Sequence, residues 1–191
     1  MSTLTAAITL FLVLDPLGNI PYFLSTLKSV DEARRQRVIL RELLIAYAAL
    51  IFFLFLGRPF VSLLHLRSES IAIAGGIVLF IISLRMIFPA SRQTESDDIE
   101  GEPLLVPLAI PGVAGPSAMA TVLLLVGNAP GRIWEWFGAV SAAWLAASII
   151  IFASPLLFRL LKQRGLIAME RLMGMILVAL SVQMFLDGLA L

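Results

Sequence analysis

Apolar residues run almost unrelieved along this chain in six stretches, at roughly 4–27, 38–57, 70–88, 104–127, 133–157 and 167–190. Each is long enough to cross a hydrocarbon core of ~30 Å as a helix. The pattern therefore predicts an all-α polytopic membrane protein of six transmembrane segments in one domain, 1–191. The first stretch follows Met1-Ser2-Thr3-Leu4 with no basic residue ahead of it. It is too long and too interrupted for a cleaved signal, and is read as the first span.

Charge is confined to the connections. The stretches 28–41 and 159–171 are basic, and 92–102 is acidic. With the N-terminus outside, the inner loops and their flanks hold Lys28, Arg34, Arg35, Arg37, Arg41, Arg85, Arg92, Arg159, Lys162, Arg164 and Arg171, and only Arg58, Arg67 and Arg132 lie outside. This asymmetry places both termini on the outer face. The acidic stretch does not weigh against it, because the rule counts Lys and Arg, and 90–103 reads as a solvated linker.

The two halves repeat one another. Gly76, Leu79, Ser83 and Met86 recur as Gly174, Leu177, Ser181 and Met184 at identical spacing, and Pro59 late in span two pairs with Pro155 late in span five. The first repeat is 1–89 and the second 104–191. Three spans per repeat is an odd number, so the second copy must insert upside down: two inverted three-helix repeats, as in many secondary transporters.

A Pro-x4-Pro segment interrupts the first span of each half: Pro16-Leu17-Gly18-Asn19-Ile20-Pro21, and Pro111-Gly112-Val113-Ala114-Gly115-Pro116. Proline removes a backbone donor and blocks the preceding turn, so segments one and four are expected to break near mid-bilayer. Pro21 and Pro116 are each expected to open a second half-helix, whose exposed N–H groups and positive dipole end face the centre. Two such ends suit a carboxylate. The carbonyls ending the first half-helices, around Leu14 and Ile110, offer the opposite polarity for an ammonium group or a cation. A small zwitterion fits both.

Gly18, Gly112, Ala114 and Gly115 leave room for close backbone approach, and Asn19, Ser117 and Thr121 can orient a ligand. Asp15 is the one ionisable residue placed deep in a span, and its counterpart is the uncharged Ile110. At the negative end of a half-helix its carboxylate is disfavoured, so it would take up a proton, a metal cation or the substrate ammonium. It can also act as an Asx-type cap, accepting N–H bonds from Leu17 or Gly18. The expected substrate-binding set is Asp15, Gly18, Asn19, Pro21, Gly112, Ala114, Gly115 and Ser117.

Other polar positions carry less. Ser83 and Ser181 are expected to bond their own helices, Arg41 and Glu42 to pair locally or face headgroups, and Trp134, Trp136 and Tyr22 to anchor or pack. Gly138, Ala142 and Ala146 on span five allow close approach of a second copy in a homo-oligomer.

Composition narrows the chemistry. Of 191 residues 60% are hydrophobic and 14% charged, and mean hydropathy is +0.98. Cysteine is absent and His65 stands alone, which removes disulfides, thiolate metal sites and cysteine nucleophiles and gives no reason to expect a metal or other cofactor. No zinc-protease, phosphate-loop or serine-elbow motif occurs, and Leu186-Asp187-Gly188 does not fit an intramembrane aspartyl protease. The chain is expected not to be an enzyme and not to bind nucleic acid. A membrane scaffold or assembly protein, which needs no central polar site, is the alternative to a transporter, and a channel would use the same site without alternating access.

The run Asp15-Pro16-Leu17-Gly18-Asn19-Ile20-Pro21, the run from Pro107 to Pro116, and the stretch from Glu170-Arg171-Leu172-Met173-Gly174 to Met184-Phe185-Leu186-Asp187-Gly188 resemble the MarC family, also classed as the six-span neutral amino acid transporter family. The resemblance covers essentially the whole chain. It implies a multi-pass protein of the bacterial inner membrane that moves small neutral amino acids such as glycine or alanine. Direction, and coupling to protons, sodium or exchange, are left open by it.

Overall fold

The structure, a computed structural model, describes residues 1–26, 32–63, 65–88 and 114–190. Among them every regular element is helical: α1 (Thr3–Leu14), α2 (Pro16–Thr26), α3 (Glu32–Leu63), α4 (Ser68–Ile87), α5 (Pro116–Asn128), α6 (Ile133–Phe152) and α7 (Ser154–Ala190), with a short 3₁₀ turn at Pro130–Arg132. Five stretches are long and apolar enough to cross a membrane, the first made of α1 and the start of α2, and α5 is a shorter apolar helix. The linker 90–103 and the start of the fourth segment, with Ile110, Pro111 and Gly112, lie outside the described residues. Large apolar side chains such as Leu4, Leu63, Trp134 and Leu156 stand exposed around the bundle, the surface a lipid-solvated protein needs.

The first segment breaks after Leu14, where its first half-helix was expected to end, but its second half-helix opens earlier than expected. α1 is started by Ser2, whose Oγ accepts the Thr5 N–H at 3.1 Å, and it closes at Asp15, whose backbone turns left-handed at φ 43°, ψ 61°. Asp is among the few residues that tolerate this conformation. Pro16, not Pro21, opens the second half-helix, and Pro21 lies inside α2. The reason is local: an Asp in the N-cap position followed by a proline at the first helical position is a strong helix start, which pre-empts Pro21.

Two further boundaries differ from expectation. α3 extends six residues beyond each expected end of span two, from Glu32 to Leu63, and carries Pro59 within it. The polar stretch 159–171 is helical except at Lys162, where φ 53°, ψ −179° kinks α7. Below that kink, α7 joins the end of span five across the turn at Ala153, just ahead of Pro155.

α4 and the later part of α7 form the closest helix pair. A Cβ on Gly76 would lie 2.9 Å from the Ser181 carbonyl oxygen, one on Gly174 3.1 Å from that of Ser83, and one on Gly188 2.9 Å from that of Glu69. As residue numbers rise on one helix they fall on the other, so the pair is antiparallel. Leu79 and Leu177 are buried between the glycine contacts. Ser83 and Ser181 bond back into their own helices, to Phe80 O at 2.8 Å and Val178 O at 2.7 Å.

α3 and α6 also pack antiparallel. Trp144 Nε1 donates to Leu43 O at 2.8 Å, Tyr47 Oη lies 2.8 Å from Ser141 Oγ, and the Tyr47 and Trp144 rings sit 4.4 Å apart. At one end of the bundle Arg132 Nη1 donates to Met1 O at 2.8 Å and Thr3 Oγ1 to Glu135 Oε2 at 2.6 Å. Gly127 abuts Ser68 and Gly188 abuts Glu69 at this same end. α1, α4 and α6 therefore start together here, and α5 and α7 finish here.

Candidate functional site

The break at Asp15 is built from its own side chains. Asp15 Oδ1 accepts the Gly18 N–H at 3.1 Å, capping α2. Asn19 Nδ2 donates to Leu14 O at 3.0 Å and Asp15 O at 2.9 Å, closing the end of α1. The Leu14 carbonyl, expected to receive an ammonium group or cation, accepts the neighbouring Asn19 amide. What remains is the second carboxylate oxygen of Asp15, on which no described residue places a donor. The side chain is 7% exposed.

Gly18 is required where it stands. A Cβ there would collide with the Asp15 carboxylate and with Met86 Cε. The contact brings the start of α2 against the C-terminal end of α4, and Glu170 of α7 lies within electrostatic reach of Asp15. Three elements besides α1 thus border the break.

The other half of the expected site sits at the start of α5. Gly115 is its N-cap in extended conformation, φ −71°, ψ 167°, with no capping side chain, and Pro116 takes the first helical position as expected. The next amides, Ser117 and Ala118, have no acceptor among the described residues. Ala114, Gly115, Ser117 and Ala118 are buried. Thr121, expected to face a ligand, instead donates to Ser117 O at 2.8 Å. Pro116 also borders an apolar cleft of about 470 Å³ between α4 and α5, lined by Gly75, Val78, Met119 and Ala120.

Asp15 and the start of α5 lie at similar distances from the end of the bundle that holds Thr3 and Glu135. From Thr3, level with Glu135, α1 advances ~18 Å before Asp15, and from Gly127, at the same end of the bundle, α5 runs back a similar distance to Pro116. α1 packs on α5. α2 leaves this level in one direction and α5 in the other, so their N-terminal ends face a common layer. One is capped by a carboxylate and one is bare.

Sequence reasoning missed Glu42. It pairs locally with Arg41, as expected, but its full burial was not foreseen.

These features run the length of the chain, and so does its kinship. A family model described as "MarC family integral membrane protein" matches residues 1–191. The chain belongs to the MarC family. Among MarC relatives, the UPF0056 inner membrane protein YhgN of Escherichia coli (strain K12) is 46% identical over 187 residues, 97% of this chain and 95% of its own. A UPF0056 membrane protein of Buchnera aphidicola subsp. Schizaphis graminum is 44% identical over 186 residues, with the same coverage. One from Chlamydia pneumoniae is 33% identical over 189 residues, 98% of this chain and 94% of its own. No solved structure matches. The MarC assignment makes the chain an integral membrane protein, in keeping with its several apolar helices.

Proposed function

We propose that this chain is a secondary transporter or exporter of small neutral amino acids such as glycine or alanine, working in a bacterial inner membrane. The observation that carries the reading is the polarity of the two breaks. Beside the first break Asp15 holds a carboxylate that is 7% exposed and uses one oxygen for the Gly18 cap, and α5 opens at Gly115 with no capping side chain. An ammonium group suits the first and a carboxylate the second. The small residues Ala114 and Gly115 add little side-chain volume at the start of α5, which suits a ligand no larger than glycine or alanine. Gly112 and Pro21 belong to the same two segments and are retained in the proposed site as backbone, as is Asn19, which shapes it.

Two inverted repeats of three spans are the framework of this proposal. Its support is the reciprocal contact of Gly76 with Ser181 and of Gly174 with Ser83, residues that correspond at an offset of 98 positions. The gathering of Met1, Ser68, Gly127 and Gly188 at one end fits six crossings, and the Lys and Arg distribution sets that end outside. Rocking of one repeat against the other would expose the site alternately.

Ligand stabilisation tests the zwitterion. Glycine and alanine should raise the unfolding temperature of the purified protein in detergent, by mass action on the folded state. Acetate or methylamine, each matching one end only, should do so far less at equal concentration. Equal shifts with all four compounds, or none with any, would sink the proposal.

A further inference from the structure

Glu42 is the most deeply enclosed ionisable side chain among the described residues, at 0% exposure, and its two oxygens are treated differently. Oε1 takes both Nε and Nη2 of Arg41, at 3.0 and 2.9 Å. Oε2 is buried with no hydrogen-bond partner. A buried acceptor left without a donor is costly, and a buried carboxylate more so. Such a group persists where something else fills the position during function.

Its place in the fold says what. Leu43, the next residue, is tied through its carbonyl to Trp144, nine residues along α6 from Glu135, so Glu42 lies ~14 Å inside the end marked by Glu135 and Thr3. It is surrounded on α3 by the buried Ile39, Leu43 and Ala46. The cleft between α4 and α5 includes no residue of α3. A zwitterion would bring a second charge to be met there, and a metal ion would ask for several ligands at once. A proton needs one oxygen.

We propose that Glu42 is a proton-binding site, and that its protonation couples substrate movement to the proton gradient. This rests on the transporter reading above and names the coupling residue, in place of Asp15, whose carboxylate is given to the cap and the substrate. In the step, an O–H bond of hydronium breaks and one forms at Oε2, leaving water, and the carboxylate–guanidinium pair parts. The guanidinium charge swings away from Oε1 on a side chain that is already 38% exposed. Release reverses both changes.

Few other charges face it. α5 and α6 are packed along α3. α5 has no titratable side chain, and α6 has only Glu135, held by Arg132 and Thr3 at its far end. On α3 itself the charged neighbours are Arg34, Arg35, Arg37 and Arg41, and Tyr47 is engaged by Ser141. On the α6 face that carries Ser141 and Trp144, the next turn presents Ser148, whose buried hydroxyl also lacks a partner. That hydroxyl is a stepping point for the proton.

The test uses the full chain in liposomes with two readouts. Infrared titration, taken as the difference from Glu42→Gln, should show a carboxylic acid carbonyl component growing on acidification over that of the other carboxylates, lost in Glu42→Gln, shifted in Glu42→Asp and retained in Asp15→Asn. A band unchanged in Glu42→Gln, leaving no such component, overturns the proposal. In flux assays with labelled glycine, Glu42→Gln should lose accumulation driven by a pH gradient yet still exchange internal for external glycine. Gradient-driven accumulation surviving in Glu42→Gln overturns it as well. If the wild type carries no amino acid at all, the transporter reading fails, and the infrared titration still decides whether Glu42 holds the proton.

Discussion

Gly76 and Ser181 touch main chain to main chain: a Cβ on Gly76 would stand 2.9 Å from the Ser181 carbonyl oxygen and 3.1 Å from the Phe185 nitrogen. Their counterparts exchange roles, for Gly174 meets the Ser83 carbonyl and Met86 in the same way. Helices α4 and α7 therefore meet about a local two-fold axis between Leu79 and Leu177, which are both buried. In a bilayer, where helices gain little from burying apolar surface, such close backbone approach at small residues is a main source of association.

Gly76→Ala and Gly174→Ala should each destabilise the protein, by about 1–3 kcal/mol and by similar amounts, since neither carbonyl can yield without moving its helix. Gly138 is the control. A Cβ there meets nothing within 4 Å, so Gly138→Ala should be neutral or stabilise by about 0.5–1 kcal/mol through helix propensity. Thermal or denaturant unfolding in detergent measures all three, and a neutral result at either Gly76 or Gly174 contradicts the reciprocal packing.

Asp15 has two separable roles. Asn keeps an oxygen to accept the Gly18 N–H, so Asp15→Asn should retain the fold and membrane insertion while losing glycine binding. Asp15→Ala loses the cap too and should cost about 1 kcal/mol more in stability. Circular dichroism and ligand-induced thermal shift, run on both variants, separate the effects. Full glycine response in Asp15→Asn would remove the carboxylate from the site.

Asn19→Leu withdraws the amide from the Leu14 and Asp15 carbonyls, at 3.0 and 2.9 Å. Leaving buried acceptors unsatisfied should cost about 1–3 kcal/mol. Hydrogen exchange should localise the loss to the junction of α1 and α2. Unaltered exchange there would show that the amide does not hold the break.

Trp144→Phe removes the donor to Leu43 O but keeps a ring against Tyr47. Stability should fall by about 1 kcal/mol. A drop several times larger would mean that the indole packs in a way its hydrogen bond does not describe.

Much of this was legible in the chain, for reasons tied to particular residues. Apolar runs gave the helices, and the recurrence of Gly76, Ser83 and Met86 as Gly174, Ser181 and Met184 picked out the residues that meet. The end of α1 at Leu14 is as expected, but the second half-helix opens at Pro16 rather than Pro21 because the proline pair was read as a unit. The Asp-Pro step alone carries a cap and a first helical residue. Asn19 was read as a ligand contact because a sequence does not show that its amide reaches back to the preceding helix end. The burial of Glu42 was not foreseen because span two was begun at 38. With α3 starting at Glu32, ten residues earlier, the same side chain sits ~15 Å along the helix and inside the bundle. The segment before Pro116 was read as a second break, and Pro111 and Gly112 fall outside the described residues.

The most direct test of transport is uptake and counterflow of labelled glycine and alanine in proteoliposomes under imposed proton and sodium gradients, with Asp15→Asn in parallel. The wild type should show saturable flux that responds to a gradient or to internal unlabelled amino acid, and Asp15→Asn should show none while remaining inserted. Absence of such flux across a broad amino acid panel, or equal flux in Asp15→Asn, would contradict the reading of the two breaks as a substrate site.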